Sequence, residues 1–190
     1  MSPARKYYDM WFDVDVPGKW YIRSPGNPQG EWILHREFFQ GQPVHLGYEP
    51  LVPVSRPGVA LDYSVTETGL SVLNQRLVSL WERLGVQKDV QFIPARVEGQ
   101  AERYFIVNTL LIIRCVDEAR CEEATFNEPR DMPGEEFRYR SVMGLKIDPV
   151  AVGDANVFRP WGWKSALIVS ERVKQAMEQE GITGAEFIEV

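Results

Sequence analysis

The sequence predicts an α+β fold: a mainly antiparallel sheet accompanied by two main helices, at about residues 70–84 and 170–180. Three observations carry this. Short extended patterns rich in aromatic and β-branched residues recur between Gly and Pro turn signals. Helical spacing of apolar residues occurs in two places only. Between them, two extended segments are joined by the short polar stretch Glu98, Gly99, Gln100 and Ala101, as in a hairpin. No linker divides two cores, so residues 1–190 read as a single domain, and a chain of 190 residues buries roughly 70 % of its unfolded surface without help from a metal, cofactor or disulfide.

Residues 1–60 combine aromatics with Gly and Pro, which gives short strands such as WFDVDV and KWYI separated by long loops. Strand alternation puts Asp13 and Asp15 on one face of WFDVDV and Phe12, Val14 and Val16 on the other. A carboxylate pair can hold a metal, but the alternation favours a half-buried strand that shows its polar face to water. From Leu70 to Leu84 the apolar stripe Leu70, Leu73, Leu77, Leu80, Trp81 and Leu84 marks a helix, with Thr68 or Ser71 available to cap its start and Gly85 to end it. The next segments, VQFIPARVEG and the stretch from Tyr104, place Gly99 at the first central position of a tight turn. Phe105 to Val107, with Leu110 to Ile113, lack alternation, as a central strand covered on both faces does. Pro94 confines its strand to an edge or a bulge. FRYRSVMGLKI and ALIVS are further strands. Ser170 then caps a helix from Glu171 to about Glu180, with Val173, Ala176 and Met177 inward, Glu171 at the positive end of the helix dipole and Gly181 as the stop.

The net charge of −6 argues against nucleic acid as a partner, since phosphate binding requires a basic face. That charge is local. Between Asp117 and Glu136 lie eight acids (Asp117, Glu118, Glu122, Glu123, Glu128, Asp131, Glu135, Glu136) and two bases (Arg120, Arg130), while the remaining residues are balanced. The stretch reads as an exposed excursion. The longest mostly apolar run, Tyr104 to Ile113, is about half of what a bilayer-spanning helix needs, and the N-terminus lacks the apolar core of a secretory signal. The expectation is a cytoplasmic protein that uses no membrane.

Residue types that carry chemistry are sparse. His35 and His45 are the only imidazoles, and their spacing matches no zinc motif. Cys115 and Cys121 fit neither a CxxC pair nor a four-ligand metal set, so they read as free thiols, with Cys115 buried. No GxSxG elbow, phosphate loop or GxGxxG occurs. Trp161 and Trp163 flank Gly162 and point the same way if the segment is extended, which allows sugar stacking but fits core packing better.

The segments DVPGKWYI, GVALDYS, VQFIPARVEGQAERYFIVN, RCVDEARCE, GLKIDP, VFRPWGWKSALIVSERVKQAME and TGAEFIEV together resemble a bacterial immunity-protein family of polymorphic toxin systems, the Imm-eleven type. The resemblance implies a stand-alone cytoplasmic protein, encoded beside a toxin, that blocks the toxin by binding it. It brings no catalytic residue, metal ligand or cofactor, and it is silent over residues 124–136. The expected function is therefore a non-enzymatic inhibitor that occludes a cognate toxin with a basic active-site face. Complementary charge speeds encounter and excludes wrong partners, so Glu122, Glu123, Glu128, Asp131, Glu135 and Glu136 are the expected toxin-facing residues. The alternative is an enzyme or a small-ligand or carbohydrate binder built on Trp161 and Trp163 with Asp148, Asp154 or Arg159.

Overall fold

Residues Tyr104–Thr109 (β8) are buried at every position, and a strand of that kind has to lie inside a sheet covered on both faces. The computed structural model, which describes residues 5–33, 35–128 and 139–190, places β8 between β7 (Val90–Val97) and β6 (Ser71–Asn74), with β3 (Leu51–Val52) and β5 (Tyr63–Val65) as the outer strands. Only the β3–β7 pairing in this sheet is parallel. A second five-stranded sheet has the order β14 (Ala185–Glu189), β1 (Tyr7–Phe12), β13 (Ile168–Ser170), β12 (Val157–Pro160) and β9 (Ile112–Ile113). Here the parallel pair is β12–β9. Among the described residues, two ribbons complete the strands: β2 (Tyr21–Ile22) with β4 (Val54–Arg56), and β10 (Glu123–Phe126) with β11 (Tyr139–Met143). The helices are α1 (Gln75–Arg83), the short α2 (Pro149–Val152) and α3 (Glu171–Gln179). This is the α+β class that the sequence predicts.

Alternation along the strands sorts the side chains into three cores. Val90, Phe105 and Val107 from the first sheet meet Met10, Val157 and Val169 from the second, and α1 and α3 close this shared core with Leu77, Trp81, Val173 and Met177. The far face of the first sheet, with Val72, Ile93 and Ile106, is covered by Trp20, Ile22 and Phe38 from the N-terminal third. The far face of the second, with Tyr7, Phe158 and Ile168, is covered by Cys115, Ile147 and Val152. Each fully buried large apolar side chain contributes about 1.5–3 kcal/mol, so the loop-rich first sixty residues are held down by their aromatics.

Several local expectations change. The first helix begins at Gln75, and residues 71–74 are strand. Leu70 and Val72 enter one core and Leu73 the other, so what reads as helical spacing from Leu70 to Leu73 is the two faces of a doubly buried strand. The cap is Asn74, whose side chain accepts from the Leu77 amide at 3.1 Å. Thr68 instead belongs to the β5–β6 turn, where its hydroxyl meets those of Ser24 and Thr66. Ser170 does occupy the N-cap of α3, but its side chain makes no capping bond; its hydroxyl meets Asn156 Oδ1 at 3.1 Å. In the β7–β8 turn, the Gln100 amide donates to the Val97 carbonyl, which puts Gly99 (φ 72°) at the second central position, where a type II turn requires positive φ. The first strand ends at Phe12, and Asp13 and Asp15 form a turn in which the Asp15 amide donates to Asp13 Oδ1. They share no strand face. β3 reaches only Arg96 and Val97, so β7 is locally an edge at Pro94. Among the described residues no helix is long and apolar enough to cross a membrane.

Candidate functional site

The acidic stretch contains a strand. β10 pairs antiparallel with β11, from Glu123 opposite Met143 to Phe126 opposite Tyr139, with a bulge between Thr125 and Phe126. This ribbon belongs to neither five-stranded sheet. Its anchor is Tyr139, which is 8 % exposed. The Tyr139 ring packs on Phe126 with centroids 4.8 Å apart, its hydroxyl donates to Glu118 at 2.8 Å, and its amide donates to the Gly162 carbonyl at 3.3 Å. Burial and the Glu118 carboxylate both push the phenol above its ordinary pKa. At the other end the Glu122 amide donates to Met143 at 3.0 Å. Gly144 (φ 55°) leaves no space for a Cβ beside the Glu122 side chain.

The ribbon orders the acids into two groups. Asp117 and Glu118 are engaged locally, by Arg120 at 2.6 Å and by Tyr139. Glu122 and Glu123 are exposed at the start of β10, and Glu128 is exposed just beyond its end. Asp131, Glu135 and Glu136 lie outside the described residues.

The Trp161–Trp163 segment is a turn. The Trp163 amide donates to the Pro160 carbonyl and Gly162 has φ 80°, so the two indoles take different environments. Trp161 stacks on Arg114, whose guanidinium carbon is 3.8 Å from the ring centroid. Trp163 packs on the core beneath the second sheet. Asp148 caps α2 through the Val150 amide, and Asp154 is an exposed partner of Lys88. Arg159 is 2 % exposed and its Nη1 donates to the carbonyls of Lys164, Ser165 and Ala166. A cavity of about 300 Å³ at the end of β1 brings Trp163 and Arg159 together, with Trp11 and Tyr63, but Trp161, Asp148 and Asp154 are absent from its lining.

This cavity also holds Asp9, a residue that the pattern WFDVDV passes over because the strand starts earlier. Its signal is legible in YYDMWF, where one acid interrupts an otherwise apolar strand. Burial holds the Asp9 carboxyl up at about 6 from its ordinary 3.8, against hydrogen bonding from Trp11 and Leu167 and the charge of Arg159. The native protein thus holds this proton more tightly than the unfolded chain. The contribution of Asp9 is fully present below about pH 4 and lost as the pH rises through 6. Asp9→Asn abolishes that loss and gains about 2–3 kcal/mol over the parent between roughly pH 4 and pH 8. Urea unfolding across that range checks it; a parent-minus-variant difference that stays flat contradicts a buried Asp9.

Among the described residues no group of three or more His, Cys, Asp or Glu side chains could hold a metal. His45 is exposed, and His35 opens a 3-10 turn. Cys115 is buried, which pushes its thiol up to about 12; Cys121 Sγ accepts from the Lys146 amide at 3.3 Å. Both thiols are free.

Fold and site together define an α+β scaffold that displays an acidic ribbon. The chain belongs to the immunity protein family Imm11, whose family model matches residues 14–190. Membership carries an immunity function and implies binding to a cognate toxin protein; families of this kind are generally non-enzymatic. No curated protein matches the chain.

Proposed function

We propose that this protein neutralises its cognate toxin in the cytoplasm by binding as a single domain and covering the toxin's active surface, with the acidic ribbon in the contact. The carrying observation is that Glu122, Glu123 and Glu128 are exposed on and beside a ribbon that stands apart from both large sheets, in a chain of an immunity family. Exposed like charges repel one another, and a surface of this kind gains most from a partner that brings the opposite sign. A toxin with a basic active-site face fits. Asp131, Glu135 and Glu136 extend the same acidic segment. The triple reversal Glu122→Lys, Glu123→Lys and Glu128→Lys is expected to slow association with the co-encoded toxin by about 10- to 100-fold at low salt and to flatten its salt dependence. Stopped-flow association and survival of cells expressing the toxin read this out. Unaltered association and protection sink the assignment of the ribbon, whereas a toxin that the parent itself does not bind sinks the inhibitor reading.

A further inference from the structure

The cavity at the end of β1 has a make-up that the inhibitor reading does not use. Its walls are apolar, with Met10, Phe12, Val65 and Leu167, and its lining includes two buried opposite charges, Asp9 and Arg159. These two form no ion pair with each other. Arg159 spends its hydrogen bonds on three backbone carbonyls through Nη1, its buried Nε has no partner among the described residues, and its guanidinium lies over Phe39 at 4.5 Å.

Burying a charge without a close counter-charge is expensive, and here both signs bear that cost on one cavity. Burial pushes the Asp9 carboxyl up to about 6 and the Arg159 guanidinium down to about 10, the directions expected when burial outweighs the attraction between the two. At about 300 Å³ the cavity stands at the lower end of the roughly 300–1,000 Å³ of small-molecule pockets, which pair apolar walls with a few polar groups. It reaches the surface beside Trp11 and Val14, which are 54 % and 65 % exposed.

We infer that this cavity binds a small zwitterion with an apolar body, an apolar α-amino acid, whose carboxylate meets Arg159 and whose ammonium meets Asp9. Two unlike charges on one cavity match a ligand that carries both signs, as an α-amino acid does on either side of its Cα. A plain carboxylate meets repulsion from Asp9, and a plain amine meets it from Arg159. The walls then set the preference for an apolar side chain.

The full-length protein is titrated with L-leucine and L-phenylalanine, followed by calorimetry and by the fluorescence of Trp11 and Trp163. Saturable binding is expected, weakened about tenfold or more when the ammonium is removed (N-acetyl-L-leucine) or the carboxylate masked (L-leucinamide), because each leaves a buried charge unpaired. Asp9→Asn and Arg159→Gln lose binding to the free amino acids. Since Arg159→Gln tests folding as well, Val14→Trp, at an exposed rim position, closes the mouth without altering the core and is also expected to abolish binding. The inference is overturned if neither free amino acid saturates the protein at millimolar concentration, if the blocked forms bind as well as the free ones, or if Val14→Trp binds unchanged.

Discussion

Asp62→Ala is expected to lower the stability of the protein by about 3–5 kcal/mol, read as a drop in the urea midpoint at constant m-value. Asp62 is 6 % exposed and accepts four hydrogen bonds: from Asn74 Nδ2 at 2.9 Å, Arg76 Nη1 at 3.1 Å, the Thr183 amide at 2.8 Å and the Thr183 hydroxyl at 2.9 Å. Each donor comes from a different demand of the fold. Asn74 caps α1 and is oriented by Asp62; Arg76 also donates to the Glu180 carbonyl at the end of α3; Thr183 leads the chain into β14. Truncation leaves the buried Asn74 amide without its acceptor, which is the costly side of hydrogen-bond energetics, and it also releases the half-exposed Arg76 and the exposed Thr183, whose donors water can meet in part. Asp62→Asn keeps the shape and one acceptor and is expected to recover part of the loss. A change below about 1 kcal/mol for Asp62→Ala would show that the network is solvated.

Gly184→Ala is expected to cost a similar amount, roughly 3–5 kcal/mol, for a steric reason. Gly184 has φ +92°, and a Cβ built there runs into the Tyr63 carbonyl oxygen and the Leu61 side chain. Its neighbours are fixed from both sides: the Tyr63 amide donates to the Thr183 carbonyl at 3.0 Å and the Asp13 amide to the Gly184 carbonyl at 2.9 Å. Backbone meets backbone here, so nothing can swing aside. Because Gly184 adjoins Thr183, the double variant with Asp62→Ala is expected to lose less than the two separate losses combined, since either change frees the same joint. Strict additivity in thermal or urea unfolding would mean that the two act on separate parts of the fold.

The particular residues show why some of this was legible and some was not. Helix α3 was readable almost to the residue, because Ser170, Glu171, Val173, Met177 and Gly181 repeat one local pattern with a start and a stop. Helix α1 was readable from Leu77 onward but not before, since Leu70 and Leu73 satisfy helical spacing while pointing to opposite sides of β6. Trp161 and Trp163 looked paired because only the Gly162 turn separates them. The acidic stretch was visible as composition, yet the β10–β11 ribbon depends on Glu123 to Phe126 meeting Tyr139 to Met143, further along the chain. Family membership was legible because many short segments over most of the chain agree at once, whereas the cavity was not. Trp163 and Arg159 stand out in the sequence, but the residue that joins them on the cavity is Asp9, near the other end of the chain.

By itself the sequence determined the fold class, the family, the neutrality of the scaffold and the confinement of its net charge to one segment. These are properties of local period, composition and short-range order, which a chain displays before it folds. Tertiary structure alone decided which polar groups are buried together. Asp62 and Thr183 stand 121 residues apart, and Asp9 shares a cavity with Arg159 only because β1 and β12 flank the same strand, β13. No local pattern records such pairs. The energy that places them comes from burying apolar faces elsewhere in the sheets, and the charges are carried along with those faces.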